Sequence, residues 1–487
     1  MHTRLALLIP ILISAIFFAG CQNHTHIYSS KSLDVRQKKG KTSPPLLKTS
    51  QNFDTSQFEL LTQDPTLSEL IDLGLKNNPQ TKIYWDRIKQ AKASYGTAKS
   101  AYFPQLNADA SATRSKQLSG LVDGSYLETL YNASLNLDYT LFDFGERKWI
   151  SSEAKKRIAA ATHHYDRTLQ DVIYSIRDSY YTYLFEQSML QAKLADRDDA
   201  LTSYEIALAK YESGVDDKAD SSVAKANYMG AVSQLTKQKK QTDKAMKALL
   251  HQVGLPLGNN LNLGGFGEIN DVSCVLENSE VLINLAMQSR PDLKAIHSEI
   301  EAQKADVHAK RAGGYPKLSA AASVGYSRYP NSGVKGREYS AGAQLSVPIF
   351  QGLYHTYKAK TSEAKLKEIE DNLKQKQIDI IRDILDAEIG LKSASIEVKA
   401  ATEYLDASYA SYEISLAKYK AGTSAILDLI QAQTKLADAR AQLTSAKRNW
   451  FTSMTDLSHA AGVLTNDVIE TVPPKAIKTK RPIEPGE

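Results

Sequence analysis

Two long stretches of the chain repeat their apolar residues every seven positions, a pattern typical of helices packed lengthwise in a coiled coil. The later stretch, between Leu353 and Lys420, also carries a second row that is mostly alanine. Each stretch is long enough for a helix of about 67 residues and about 100 Å. The later seam is Ile384, Leu391, Val398, Leu405, Tyr412 and Tyr419 with the row Ile380, Ala387, Ala394 and Ala401; the earlier seam is Leu169, Ile176, Tyr183 and Leu190 with Ile173, Tyr180, Leu194, Leu201 and Leu208.

Four other stretches alternate apolar and polar residues with a period of two, which predicts β-strands with one apolar and one polar face. The predicted strands are 105–117, 130–142, 317–329 and 339–350. At roughly ten alternating residues each, they have the length of a tilted membrane-spanning strand, about 9–11 residues. Aromatic residues gather at the helix-side ends (Phe103, Phe142, Tyr315 and Phe350) and at the far ends (Tyr126, Tyr131, Tyr326, Tyr329 and Tyr339). Two aromatic girdles around an apolar band favour a transmembrane barrel over the alternative, a soluble sandwich.

The chain is internally duplicated. SYEIALAKYESG ends at Gly214 and SYEISLAKYKAG ends at Gly422, with nine of twelve positions identical at an offset of 208. Each copy ends a long helical pattern with glycine, which predicts a turn between antiparallel helices.

The two halves are predicted to have the same order of elements. Residues 65–254 hold helices in 67–103, two strands and helices in 145–254, whereas residues 280–464 hold helices in 280–315, two strands and helices in 352–462. Residues 255–279 are an inter-repeat linker and 465–487 a proline-rich tail. In each half, the helix that precedes the strands and the helix that follows the glycine turn together nearly equal the long helix in length. Stacked end to end, these two helices would form a second column beside the long one.

The N-terminus has the order of an export signal in residues 1–20: His2 and Arg4, an apolar stretch, then small residues before Cys21. Phe18-Ala19-Gly20-Cys21 resembles a bacterial lipobox, which implies lipidation of Cys21, and Gln22 beside it implies sorting to the outer membrane. The alternative is ordinary signal cleavage nearby. Residues 21–64 are polar and are predicted to be an extended tether.

Composition excludes several classes of protein. Basic residues number 60 against 55 acidic ones, are spread along the chain and give a net charge of +5, which argues against a nucleic-acid partner. Two cysteines, Cys21 and Cys274, suggest neither a disulfide framework nor a metal cluster. His24 and His26 in the tether are not predicted to bind metal. His163-His164 lies mid-helix without a nucleophile, so neither an enzyme nor a cofactor is expected.

Four strands cannot stand alone in a bilayer, because every backbone group in the hydrocarbon must be paired. A closed barrel needs about eight strands or more. At least two copies of the chain are therefore required. The small polar residues on the polar face of the strands then line a water-filled pore, which continues into a helical sleeve about 100 Å long.

The duplicated halves, YFPQL and GYPKL before strands, LFDFG and PIFQG after them, and the LAKYxxG turns resemble the TolC family of outer membrane efflux proteins. The resemblance covers nearly all of residues 67–462, and the lipobox resembles the lipidated branch. It implies a homotrimer with a 12-stranded barrel on a 12-column α-helical tunnel in the outer membrane, docked to a periplasmic adaptor (membrane fusion) protein and an inner-membrane transporter.

The same resemblance implies a gate where the tunnel ends in the periplasm. Asp220 and Asp428 match the acidic residues of the family's constriction. In the second half, Gln431 stands where the family has a second acidic residue. Tyr211 and Tyr419 match the family's turn tyrosine. Gly214 and Gly422 mark the turns expected to meet the adaptor. The alternative for the aspartates is helix capping, since acids in a first helical turn are stabilised by the dipole. The alternative for the tyrosines is core packing.

Two other functions remain open at this point. An outlet for type I protein secretion has the same architecture as one for small-molecule efflux. A non-transport coiled-coil lipoprotein explains the long helices but not the period-two segments between them.

Overall fold

The computed structural model describes residues 67–119, 124–258, 263, 266 and 279–464. The predicted signal peptide, Cys21, the tether, most of the linker and the tail lie outside these residues. The elements, in chain order, are α1 Leu67–Asn77, α2 Pro79–Ser100, β1 Gln105–Ser119, β2 Gly124–Phe142, α3 Glu146–Glu212, α4 Lys218–Val253, α5 Ser279–Ser289, α6 Pro291–Ala312, β3 Lys317–Tyr329, β4 Val334–Ser346, α7 Tyr354–Lys420 and α8 Ile426–Ala460. The predicted fold class, mainly helical with four strands in two duplicated halves, is confirmed. No helix among the described residues combines the length and apolar character needed to cross a membrane.

The strands form one antiparallel sheet in the order β1-β2-β3-β4. Its register keeps the apolar positions of all four strands on one face. Leu106 pairs with Leu137, Leu137 with Ala322, and Ala322 with Ala341. The opposite face is polar and hydrogen-bonded across strands: Asn136 Nδ2 donates to Asp109 Oδ2 at 2.7 Å and Asn132 Nδ2 to Ser327 Oγ at 3.0 Å.

Three strands differ from their predicted bounds, and β1 does so by ending at Ser119 rather than at residue 117. β2 begins at Gly124, because its ladder with β1 continues to the pair Ser119 and Gly124. β4 runs from Val334 to Ser346 rather than over 339–350. It ends early because Pro348 has no N–H to continue a ladder. It begins early because Tyr329 pairs with Val334 across a short turn.

The helices form a row of columns. α3 lies against α4 on one side and α8 on the other, and α8 lies against α7. Nearer the sheet, α2 takes the place of α4 and α6 the place of α8. The short helices meet end to end: Asn78 Nδ2 at the start of α2 donates to Gln252 O of α4, and Arg290 Nη1 before α6 donates to Ala460 O of α8, both at 2.9 Å.

The heptad positions are the core of this row. Ile380, Ile384, Leu391, Val398 and Tyr419 on α7 are all buried, and Leu405 packs against the core at the turns. Alanines at 387, 394 and 401 are buried beside them and allow close approach of α8. Because these burials recur at seven-residue spacing from Ile380 to Tyr419, they keep α7 and α8 aligned over nearly all of α8's length.

The strand-to-helix junction of the first half is held by Asp143. Its carboxylate accepts from the backbone N–H groups of Gly145 and Arg147 at 3.2 and 3.1 Å and from Arg147 Nε at 2.6 Å. Arg147 Nη1 donates in turn to Thr140 O of β2 at 2.8 Å. The long helix α3 is thereby fixed in direction relative to the sheet.

Candidate functional site

The helix turns farthest from the sheet have the same backbone. Gly214 and Gly422 adopt positive φ of 75° and 72°, a conformation open to glycine and strained for other residues. The next N–H groups turn back onto the helix ends: Val215 N–H donates to Lys210 O and Thr423 N–H to Lys418 O. Both glycines are exposed and a Cβ at either would meet nothing within 4 Å.

The two turns are joined by three side chains, here termed the tip latch: Lys210, Asp216 and Tyr419. The Tyr419 hydroxyl donates to Asp216 Oδ2 at 3.5 Å, and Lys210 Nζ lies 3.5 Å from the same carboxylate. Lys210 Nζ also donates to Tyr419 O at 2.6 Å and lies 4.1 Å from the centre of the Tyr419 ring. The latch thus ties the first turn to the end of α7.

Tyr419 is 1% exposed and belongs to an apolar cluster formed by all four helices near the turns. Burial, followed by the charges of Asp216 and Asp220, raises the pKa of its hydroxyl to about 12. The phenol is therefore neutral at physiological pH and able to donate its proton to Asp216.

The other candidate gate residues lie nearby but not in the latch. Asp220 is half-exposed in the first turn of α4, close enough for its charge to act on Tyr419. Asp428 caps α8: its Oδ2 accepts from Ser424 Oγ at 2.8 Å and from Ala425 N–H at 3.3 Å. Gln431 and Tyr211 are exposed. The capping alternative for Asp428 is therefore seen in the geometry, while its exposed side chain remains free to face a pore.

A second polar cluster, here termed the four-helix cluster, lies about two to four helical turns farther from the tip. Arg440 of α8 pairs with Asp196 at 2.9 Å and with Asp199 at 2.8 Å, both on α3. Tyr412 of α7 donates to Asp199 at 3.3 Å. Gln433 donates to Ser203 Oγ and to Asp199 O, and accepts from Asn227 Nδ2 of α4 at 3.1 Å. All four helices meet in this cluster, so it defines where the tips begin.

Sequence reasoning missed Lys210 and did not single out Asp216, which lies two residues after Gly214, where the two halves no longer match. The signal lay in the comparison of the halves. Lys210 and Tyr211 correspond to Lys418 and Tyr419 at the offset of 208, whereas Asp216 corresponds to Ser424. Only the first half brings a carboxylate to this position, and that carboxylate holds the tyrosine of the second half.

The aromatic residues predicted for the helix-side girdle are exposed at the base of the sheet. Phe103 and Phe142 are exposed, as are Tyr315 and Phe350. Phe144 bridges two of them, with its ring centre 4.8 Å from Phe142 and 5.7 Å from Tyr315. Since exposed aromatic clusters are rare in water, this ring suits a membrane–water interface.

A model of the family described as outer membrane efflux protein matches residues 70–255 and 282–463. The chain is 26% identical to protein CyaE of Bordetella pertussis over 85% of this chain and 87% of that protein. It is 28% identical to the solvent efflux pump outer membrane protein SrpC of Pseudomonas putida over 59% of this chain and 62% of that protein. It is 23% identical to the alkaline protease secretion protein AprF of Pseudomonas aeruginosa over 87% and 90%.

The fold resembles that of solved channels. The outer-membrane channel OprN superposes with a TM-score of 0.73 at 18% identity, over 86% of this chain and 94% of OprN. The Campylobacter jejuni CmeC outer membrane channel gives 0.71 at 20% identity, over 85% and 89%.

Proposed function

Because the chain belongs to the outer membrane efflux protein family, we propose that it is the trimeric outer membrane channel of a tripartite export system, closed at its periplasmic end by the tip latch. The observation that carries this proposal is the sheet: it is amphipathic, has both edges open, and stands directly on helices of 67 residues.

The dimensions of the sheet fit an outer membrane. From Phe142 at the girdle to Tyr131, β2 rises about 36 Å at roughly 3.3 Å per residue. A strand tilt of about 40° reduces this to about 28 Å along a barrel axis, close to the apolar band of about 25 Å in outer-membrane barrels. The apolar face would contact lipid, and the face with Asn136 and Asp109 would line a wet lumen.

The open edges support assembly. Among the described residues, β1 and β4 each have one neighbour only. Three copies joined edge to edge give a closed 12-stranded barrel, which removes every unpaired edge. The same rotation brings the outer helix α7 of one copy beside the outer helix α4 of the next, and completes a helical tunnel about 100 Å long.

The anchor and the partners follow from the same arrangement. Lipidation at Cys21 would hold the chain to the membrane, adding about 0.8 kcal/mol for each buried methylene. The exposed turns at Gly214 and Gly422 are the surface offered to a periplasmic adaptor (membrane fusion) protein, and an inner-membrane transporter would supply the substrate. The latch then sets whether Asp220, Asp428 and Gln431 close the pore or stand apart.

The substrate has two candidate classes. Efflux of small molecules is favoured by the similarity to SrpC, a solvent efflux protein. Secretion of a protein is the second candidate, because AprF, an alkaline protease secretion protein, matches over nearly its whole length.

The test uses the full chain and a strain that lacks it. Outer membrane fractions should contain a trimer on mild gels, and the purified trimer should form ion-conducting pores in planar bilayers. Loss of the gene should raise susceptibility to solvents or drugs; an unchanged susceptibility with a lost extracellular protein would support the secretion outlet. Fatty-acid labelling that survives Cys21→Ala would exclude this lipidation site, and a monomer without conductance would exclude the channel.

A further inference from the structure

The charged residues of the sheet are sorted by face. All four acidic residues of the strands lie on the polar face of the sheet: Asp109, Glu128, Asp138 and Glu338. Five of the six basic residues lie on the opposite, apolar face, and this group is here termed the outer basic belt: Arg114, Lys116, Arg328, Lys335 and Arg337. The sixth, Lys317, lies at the base of β3 and pairs with Glu146 at 2.5 Å.

The register brings the belt together at the end of the sheet away from the helices. Arg328 is paired with Lys335 on β4 and with Tyr131 on β2, while Arg337 is paired with Tyr326 one step nearer the base. Neighbouring strands are about 4.8 Å apart, so paired Arg and Lys side chains can reach one anion. Arg114 and Lys116 continue the same face of β1 beyond the level of Tyr131.

Nothing in the described protein neutralises the belt. All five side chains are exposed, and no ion pair is recorded for any of them among the described residues. Five like charges on one face repel one another unless an outside anion screens them. The register sets Arg328 opposite Tyr131 and Arg337 opposite Tyr326, so the belt lies at the border of the apolar, aromatic face. Long basic side chains at such a border keep their charged ends in water.

We propose that the outer basic belt binds the phosphate groups of lipids in the outer leaflet, those carried by lipopolysaccharide. This inference rests on the proposed function, since it requires the apolar face of the sheet to lie in the membrane with its hairpins outward. Arginine and lysine form short charge-assisted hydrogen bonds with phosphate oxygens. The belt lies where the apolar rows end and lipid headgroups begin, and its charge is complementary to theirs.

The experiment compares lipopolysaccharide binding by purified full-chain trimers. The belt variant carries Gln at all five positions: Arg114→Gln, Lys116→Gln, Arg328→Gln, Lys335→Gln and Arg337→Gln. Each basic residue near an anionic surface contributes roughly fivefold in affinity, so the belt variant should bind at least about tenfold more weakly. Its matched control removes five exposed helix lysines without recorded ion pairs: Lys294, Lys365, Lys367, Lys399 and Lys435, each →Gln. The control should bind like the wild type.

Two probes identify the ligand. Lipopolysaccharide stripped of its phosphates should lose binding to the wild type, and added salt should weaken binding of the intact lipid. Equal binding of wild type and belt variant, or of intact and phosphate-free lipid, would overturn the proposal. Saturable binding of inorganic phosphate alone, lost in the belt variant, would assign the belt to free anions and also overturn it.

Trimer formation and conductance are measured on the same preparations, which separates this inference from the channel itself. A belt variant that conducts like the wild type but lacks bound lipid supports both. A wild type that conducts but binds no lipopolysaccharide overturns the belt only. If the belt variant does not assemble, the smaller variant Arg328→Gln with Lys335→Gln should still reduce binding several-fold, and unchanged binding there contradicts the proposal.

Discussion

At the scale of single residues, Tyr211 and Tyr419 occupy the same position of the duplicated unit but differ in environment. Tyr419 is 1% exposed and bonded to Asp216, whereas Tyr211 is 40% exposed. Sequence could predict that a tyrosine ends each long helix. It could not predict which one is buried, because that depends on α8 lying between α3 and α7, a contact between halves distant in sequence.

This difference predicts unequal effects of one substitution made twice. Tyr419→Phe removes the hydroxyl that donates to Asp216 and leaves that carboxylate to Lys210 alone. We expect a higher single-channel conductance, or more frequent opening, in planar bilayers. Tyr211→Phe is the matched control and should conduct like the wild type. An equal rise in both variants, or none in Tyr419→Phe, would exclude the latch.

Asp292 provides a prediction on pH. Burial acts to raise the pKa of its carboxyl, but the hydrogen bond and charge of Arg290, with Arg167 and Lys376, outweigh burial and hold the pKa at about 2, against an ordinary value of 3.8. A folded-state pKa below the unfolded one stabilises the fold above about pH 4, and this contribution is lost as pH falls towards 2.

Asp292→Asn should therefore destabilise the protein at pH 7, by up to about 2 kcal/mol. The difference from the wild type should shrink as pH falls from about 4 to about 2, as followed by helical circular dichroism during thermal unfolding. Asp371→Asn is the control, because its pair with Lys374 is exposed at the surface of α7 and should contribute little. A pH-independent difference for Asp292→Asn would show that its charge is not responsible.

At the scale of elements, the hydrophobic period and the positions of proline and glycine predicted the helices and strands, whereas the polar contacts between helices were not predicted. The seven-residue repeat predicted α3 and α7, and alternation predicted which residues of each strand share a face. The end of β4 was wrong because the apolar pattern continues through Val347 and Ile349, past the residue at which Pro348 stops the ladder. The four-helix cluster was not predictable from the sequence. Its members Arg440 and Gln433 lie on one helix and Asp199 on another, and only the packing of the helices brings them together.

Two substitutions at Asp428, in the first turn of α8, separate the role of its charge in the pore from its role as a hydrogen-bond acceptor at the helix end. Asp428→Ala removes the acceptor of Ser424 and Ala425, costs about 1 kcal/mol of helix stability, and should raise ion conductance by loosening the tip. Asp428→Asn keeps an acceptor oxygen and should leave both stability and conductance near those of the wild type. A rise in conductance that is equal in the two variants would assign the effect to the lost charge instead.

The polar face of the sheet predicts ion selectivity. Asp109 pairs with Ser134, Ser134 with Gly325 and Gly325 with Glu338, so two carboxylates stand at one level of that face. No basic residue of the strands shares this face above Lys317. We expect the open channel to prefer cations, and Asp109→Asn with Glu338→Gln to shift the reversal potential in a salt gradient towards zero. An unchanged reversal potential would mean that the helical end alone sets selectivity.

At the scale of the whole molecule, the outer helix α7 carries an apolar stripe that its own chain leaves uncovered. Ile378, Ile396 and Ile414 are 61, 71 and 56% exposed. They recur at intervals of five helical turns and so lie on one line along the helix, with Leu385 and Ile389 beside it. The other flank, α4, exposes Val223 and Met229. Because the stripe and this flank lie at opposite ends of the row α4-α3-α8-α7, the proposed trimer would join one to the other.

Ile389→Lys with Ile396→Lys should therefore prevent trimer formation, because two ammonium groups would be buried without partners where copies meet. Met229→Lys on the opposite flank should weaken the trimer in the same way. Thr434→Lys with Gln442→Lys places the same charges on exposed sites of α8, an inner helix of the row, and should remain trimeric. Native gels and light scattering in detergent measure the outcome, with circular dichroism to establish that each monomer keeps its helices. A trimer that survives the α7 substitutions while the α8 control dissociates would place the interface on α8 and reverse the assignment of the flanks.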